Sequence, residues 1–212
     1  MDIQSIRNYQ QESKLLAREQ GLTEFVPSHA IVLDKIVTHA MKKGHIPPPP
    51  ARVLDLGSGD GSAMGVFACH GYETFGIDVN PTLVSRANAF AKTMCVEGVV
   101  PPRFAAGNYL PIELRSAFWP VPHLLLGGDD GFSALGMPAQ AIDLFYAFIR
   151  ISQSASLKRF FSSCARKGAK LLSYTNPITS LDFGVEVCAF DEILVECERI
   201  AFRGIYQVLE KK

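Results

Sequence analysis

The chain has 212 residues, 48% of them hydrophobic and 20% charged, a globular composition that excludes disorder throughout. Lys plus Arg and Asp plus Glu both number 21, so the formal net charge is zero and supplies no broad attraction to nucleic acid or an anionic membrane. Five cysteines, at 69, 95, 164, 188 and 197, are odd in number and never closer than nine residues, which gives no zinc spacing. They read as reduced thiols acting as small core residues, and the scattered histidines add no metal site. The N-terminal stretch MDIQSIRNYQQESK has no apolar signal core and no run of about 18 apolar residues follows, so the expectation is a cytoplasmic chain with no membrane partner.

Residues 2–20 are predicted as a helix anchored by Ile3, Ile6, Leu15 and Leu16, with Gly21 as its stop. A second helix starts from Ser28 as N-cap and carries the apolar stripe Ile31, Leu33, Ile36, Val37 and Met41, ending before Gly44. Residues 1–45 thus form helices that pack on a core domain spanning 46–212. Pro47–Pro50 cannot continue a helix and reads as an extended connector. The core then alternates: strand Ala51–Leu56, glycine turn Gly57–Gly61, helix Ser62–His70, strand Glu73–Asp78, helix from Asn80-Pro81 to Thr93, and strand Arg103–Ala106. Ala141–Ile149 is preferred as the fourth strand over His123–Leu126, which leaves an insertion at about 111–140. Phe118, Trp119 and the Gly127–Gly131 turn make that insertion either a substrate lid or a surface elaboration. Helix Ser154–Arg166, strand Lys170–Tyr174 and strands Glu192–Phe202 and Gly204–Glu210, bent at Arg203-Gly204, complete the chain. The pattern predicts an α/β, Rossmann-like, doubly wound, mostly parallel seven-stranded sheet with an antiparallel C-terminal strand pair.

The informative segment is Val53-Leu54-Asp55-Leu56-Gly57-Ser58-Gly59-Asp60-Gly61. Its glycines allow a sharp turn and expose amides to a ligand, and the next helix offers free N–H donors with a partial positive charge. Gly76-Ile77-Asp78 ends the second strand with a carboxylate able to accept both hydrogen bonds of a ribose diol. Together they indicate an adenosine-containing ligand at the carboxyl edge of a parallel sheet. A dinucleotide fingerprint would put its third glycine where Ser62 stands, although a register from Gly59 through Gly61 and Gly65 gives a looser match. Asp55 discriminates better: two residues before the first glycine it can meet an ammonium group, and it is poorly placed beside a pyrophosphate.

VLDLGSGDG, with GIDVNP downstream, resembles the class I S-adenosylmethionine-dependent methyltransferases over about residues 25–110, and the closing AFRGIYQVLEKK is similar to that family's sheet end. The resemblance implies a cofactor, S-adenosylmethionine, converted to S-adenosylhomocysteine, and a set of roles. Asp55 would lie near the methionine amino group. Gly57, Ser58 and Gly59 would line the methionine and ribose with backbone atoms, Asp78 would hold the ribose hydroxyls, and Val79 would pack on the adenine. Asn108, where the family often has an acid, would accept from the adenine amino group through its amide oxygen. Asp60 reads either as a helix cap or as a cofactor contact, and Tyr109 as a core filler.

The implied activity is methyl transfer to an unidentified acceptor, a small molecule or a protein side chain. The alternatives are a non-catalytic S-adenosylmethionine-binding protein and an NAD(P)-dependent oxidoreductase. Amino-base methylation is disfavoured, because the fourth strand ends in Ala147-Phe148-Ile149-Arg150 and Asn176-Pro177 follows the fifth strand instead. Phe25-Val26-Pro27 followed by DLGSGDG looks like small methyltransferases related to mitochondrial protein-lysine methyltransferases. A lysine acceptor would want an acidic or aromatic channel near Tyr146 or Tyr174. Asp143, opening the fourth strand, is expected to be structural.

Overall fold

The punctuation of the sequence by Gly, Pro and Asn sets most element boundaries. The computed structural model describes residues 2–22, 25–94, 99–115, 127–148, 154–174, 185–197 and 200–212. Helices α1 (Ile3–Glu19) and α2 (Ala30–Lys42) precede strand β1 (Arg52–Leu56), helix α3 (Ser62–Cys69), strand β2 (Glu73–Asp78), helix α4 (Pro81–Thr93) and strand β3 (Arg103–Ala106). Short helices α5 (Ile112–Arg115) and α6 (Gly131–Leu135) and a single 3-10 turn (Ala139–Ala141) lead to strand β4 (Leu144–Phe148). Helix α7 (Ser154–Cys164), strand β5 (Lys170–Tyr174) and strands β6 (Val185–Cys197) and β7 (Ile200–Lys211) follow. Asn80 shows how the punctuation works: its Oδ1 accepts from Thr82 N at 2.9 Å and Leu83 N at 3.3 Å, and Pro81 occupies the first turn, where no N–H is needed.

In the sheet the strands lie in the order β3-β2-β1-β4-β5-β7-β6. Pairing is parallel from β3 to β5, and β7 runs antiparallel to both β5 and β6. This is the expected α/β sheet, mostly parallel with an antiparallel C-terminal pair. Both faces are covered. One core joins Ile6, Leu33 and Ile36 of α1 and α2 with Met64 and Phe67 of α3, Phe90 of α4, and Val53, Tyr146 and Leu172 of the sheet. The other joins Leu54, Phe75, Phe145 and Leu171 with Phe132 of α6 and Phe160 and Phe161 of α7. The chain order reverses on either side of β1, so a crevice opens at the carboxyl ends of β1 and β4, the usual ligand position in such sheets.

Several expectations need correction. Ile6 is buried and Ile3 packs against the core as expected, but Leu15 and Leu16 are exposed, and α1 buries Arg7, Gln10, Ser13 and Ala17 in their place. The reason is polar: Gln10 donates to Ser62 Oγ at 2.9 Å and to Ser28 O, and accepts from Ala30 N at 3.1 Å, a demand no leucine could meet. The N-cap of α2 is His29, and Ser28 serves by its carbonyl. The proline run closes in a turn, with Ala51 N donating to Pro48 O at 3.3 Å. The terminal strands are longer than foreseen, and Arg203-Gly204 lies inside β7, with Gly204 opposite Ile193. Gly weakens a strand without preventing its pairing, so it is no sure mark of a bend. Cys69 is exposed, whereas Cys164 is buried as expected.

Asp143 is structural: Oδ2 accepts from Arg52 N at 2.8 Å and Oδ1 from Arg166. Asp130 caps α6 by accepting from Phe132 N at 3.0 Å and Ser133 Oγ at 2.8 Å. Phe132, Met137 and Ala139 bury themselves in the second core, so the 132–139 part of the 111–140 insertion packs on the sheet. Phe118, Trp119, His123–Leu126, Ile149-Arg150 and Asn176-Pro177 lie outside the described residues. No helix among the described residues is long and apolar enough to cross a membrane.

Candidate functional site

The glycine turn after β1 is held against the end of β2 by backbone bonds. Gly57 N and Ser58 N both donate to Ile77 O, at 2.9 and 3.0 Å, and Gly61 N donates to Ser58 O at 2.9 Å. The turn needs positive φ at Gly57 (+86°), Gly59 (+52°) and Gly61 (+79°). Space is as tight as geometry. A Cβ on Gly61 would stand 2.5 Å from Phe104 Cζ and 2.9 Å from Ala87 Cβ. Gly61→Ala is therefore expected to cost about 2–3 kcal/mol of stability, through strain and overpacking together. Thermal unfolding measures this, and an unchanged midpoint would contradict the packing described.

Asp78, at the carboxyl end of β2, ties the two loops together. Its Oδ2 accepts from Gly59 N and its Oδ1 from Asn80 N, both at 2.8 Å. Each oxygen keeps a further lone pair for a ligand hydroxyl. Burial raises its pKa, and the two N–H donors oppose the shift. Val79 beside it is 38% exposed, an apolar surface next to the Asp78 carboxylate.

Asp55 is buried in β1, opposite Gly76 of β2 and Tyr146 of β4. Its pKa is raised well above the ordinary carboxylate value by burial, then by the charges of Asp78 and Asp60. Asp60 is also buried, and its Oδ1 accepts from Ser62 N at 3.0 Å and Ser62 Oγ at 2.7 Å, so it shapes the start of α3. Burial raises its pKa, offset in part by Ser62, Ser13 and Arg86. Three carboxylates thus converge on one turn, an arrangement suited to a cationic ligand. Among the described residues no group of three or more His, Cys, Asp or Glu side chains could hold a metal ion.

Asn108 holds its own loop. Its Oδ1 accepts from Leu110 N at 2.9 Å and its Nδ2 donates to Gly127 O at 3.0 Å, so the buried amide organises the loop after β3. Tyr109 packs edge-on against Phe160 at 5.5 Å, as a core filler should. Tyr146 and Tyr174 are both buried.

Two residues outside the motifs belong to the site. Phe25 lies over the glycine turn, since a Cβ on Gly59 would meet its Cε2 at 2.6 Å. Tyr9 of α1 donates to Asp60 O at 3.0 Å while its ring stacks on Phe90 at 4.1 Å. A lone aromatic in a polar helix gives no periodic signal, so Tyr9 was not legible. Phe25 stood out only through resemblance.

No protein-family model matches the chain, and no curated protein matches it in sequence. Solved structures do. An RNA methyltransferase from Salinibacter ruber in complex with S-adenosyl-L-homocysteine is 20% identical, with TM-score 0.57 over 88% of this chain and 95% of that one. Magnesium protoporphyrin IX methyltransferase from Synechocystis PCC 6803 with bound SAM is 15% identical, with TM-score 0.54 over 100% and 98%. Precorrin-6y C5,15-methyltransferase from Geobacter metallireducens GS-15 is 11% identical, with TM-score 0.53 over 90% and 91%. The fold is that of the class I S-adenosylmethionine-dependent methyltransferases.

Proposed function

We propose that the chain binds S-adenosylmethionine in the crevice at the ends of β1 and β2 and transfers its methyl group to an acceptor. The observation that carries this reading is the convergence of Asp55, Asp60 and Asp78 on a glycine turn fixed by its own backbone bonds, whose positive-φ glycines put no side chain between backbone and ligand. Two of the similar structures hold S-adenosylhomocysteine or SAM, which supports the same ligand here.

The residues present fit this ligand. Asp78 would accept from both ribose hydroxyls, and the exposed face of Val79 would carry the adenine. Gly57–Gly59 would let the ribose and methionine portion lie against backbone, with Phe25 as the wall over Gly59. Asp55 would face the methionine ammonium. Asn108 would act by holding the loop beside the pocket. The cofactor supplies an electrophilic methyl on a sulfonium whose departure leaves a neutral thioether, so the chain's task is to align an acceptor and exclude water. The fold does not choose the acceptor, since proteins sharing it act on RNA and on a porphyrin.

The nicotinamide reading fits less well. A pyrophosphate would enter the field of three carboxylates and be repelled. Calorimetric titration separates the two. Saturable micromolar binding of S-adenosylmethionine and S-adenosylhomocysteine, with none of NAD(H) or NADP(H), is the expected result. The reverse pattern would reassign the site, and binding without turnover over a broad acceptor panel would favour a non-catalytic role.

A further inference from the structure

Polar atoms that end without a hydrogen-bond partner gather on one side of the sheet, beneath the glycine turn. They are Ser13 Oγ of α1, Ser58 Oγ and Asp60 Oδ2 of the turn, Thr74 Oγ1 of β2 and Tyr146 OH of β4. Thr74 stands opposite Val53 and Tyr146 opposite Asp55, which puts both on the face covered by α1–α3. Ser58 lies over Gly76, since a Cβ there would meet Ser58 Cβ at 2.6 Å. Each such atom, buried and unpaired, costs free energy, so five among the described residues on one face of the sheet and its glycine turn mark a site built for a purpose.

Tyr146 is the informative member. Its side chain is fully buried and its ring packs on Phe67 at 5.4 Å, a place that phenylalanine would fill equally well. The hydroxyl is therefore retained at a cost that packing does not repay. The groups acting on it besides burial are the Asp55 carboxylate and Tyr174 of β5, which add to burial in raising its pKa, and the Ser28 side chain, which opposes that shift without a hydrogen bond of ordinary geometry.

We infer that Tyr146 is a positioning residue for the amino-acid end of the cofactor. Its buried hydroxyl, which has no direct partner among the described residues, reaches the Asp55 carboxylate across the strand pair through one buried water and so keeps that acid ionised and aimed at the ligand's ammonium group. The inference rests on the S-adenosylmethionine reading above. Its logic is electrostatic. Asp55 faces Asp78 from β2 and Asp60 from the glycine turn, both of which favour its neutral form. Arg86 of α4 and Ser13 of α1 act on Asp60 instead. A hydrogen-bond donor across β4 is what shifts the balance back toward the carboxylate. A neutral acid would offer an ammonium only a weak acceptor.

The test is Tyr146→Phe, titrated with S-adenosylhomocysteine and with methylthioadenosine, which keeps the nucleoside and lacks the amino-acid end. Affinity for S-adenosylhomocysteine should fall about tenfold, as for loss of one hydrogen bond to a charged group, with methylthioadenosine unchanged. The acid-side loss of S-adenosylhomocysteine binding should move to higher pH. In an Asp55→Asn background the substitution should have no further effect, and the thermal midpoint without ligand should be the same as wild type or higher. Equal weakening of both ligands, an unchanged affinity and pH profile, or a marked loss of thermal stability would each overturn the inference. Wild-type protein that binds neither ligand would overturn the cofactor reading itself.

Discussion

Asp78→Ala is expected to weaken S-adenosylhomocysteine binding by about a hundredfold, roughly 3 kcal/mol, with the protein still folded. The size follows from two losses that act together. The ribose diol loses a charged acceptor, and Gly59 N and Asn80 N lose the carboxylate that now pairs them at 2.8 Å. The second loss matters because Gly59 N belongs to the cradle itself, so one substitution removes a ligand contact and loosens the loop that makes the others. Asp78→Asn should be milder: its amide oxygen can still accept from one of these donors. Calorimetry on the two variants measures the difference. Equal, small losses would mean that the acid serves the turn alone.

The elements that were legible are those whose ends carry backbone chemistry. β2, β3 and β5 fall on the segments read from the sequence, because Gly71, Asn80, Gly107 and Gly168 mark places where a strand cannot continue or a helix must be capped. The glycine turn was legible for the same reason, since Gly57, Gly59 and Gly61 each take a positive φ. What escaped the sequence is what depends on partners distant in the chain. The polar buried face of α1 makes sense only beside Ser28, Ala30 and Ser62. The loop-holding bonds of Asn108 were not legible either, because the Gly127 carbonyl that its amide meets is 19 residues away. Tyr146 lies in the apolar run of a core strand, where an aromatic is ordinarily just volume; only its register opposite Asp55 gives the hydroxyl a meaning.

Asp55→Asn should separate stability from function. Asp55 and its neighbours Asp60 and Asp78 all have raised pKa values, with burial the largest cause in each. The folded protein therefore holds protons that the unfolded chain releases at the ordinary carboxylate value. Between that value and the raised folded values the folded state binds more protons, so stability falls as pH rises through this window and is greatest on its acid side. At neutral pH a buried, unpaired carboxylate is a standing cost, and the isosteric amide removes it. Without ligand, Asp55→Asn is expected to melt roughly 2–6 °C higher than wild type, about 1–2 kcal/mol, with a flatter pH dependence. With S-adenosylhomocysteine the sign reverses. The ligand's ammonium favours the ionised acid, so in the wild type the stabilisation added by the ligand should shrink as pH falls, and in Asp55→Asn it should be small throughout. Thermal shift measured with and without ligand across pH reads both slopes. A variant that loses stability without ligand would show that Asp55 has a direct partner in the protein, stronger than a water-bridged Tyr146 hydroxyl, and would remove the argument that this acid is kept ionised for a cationic ligand.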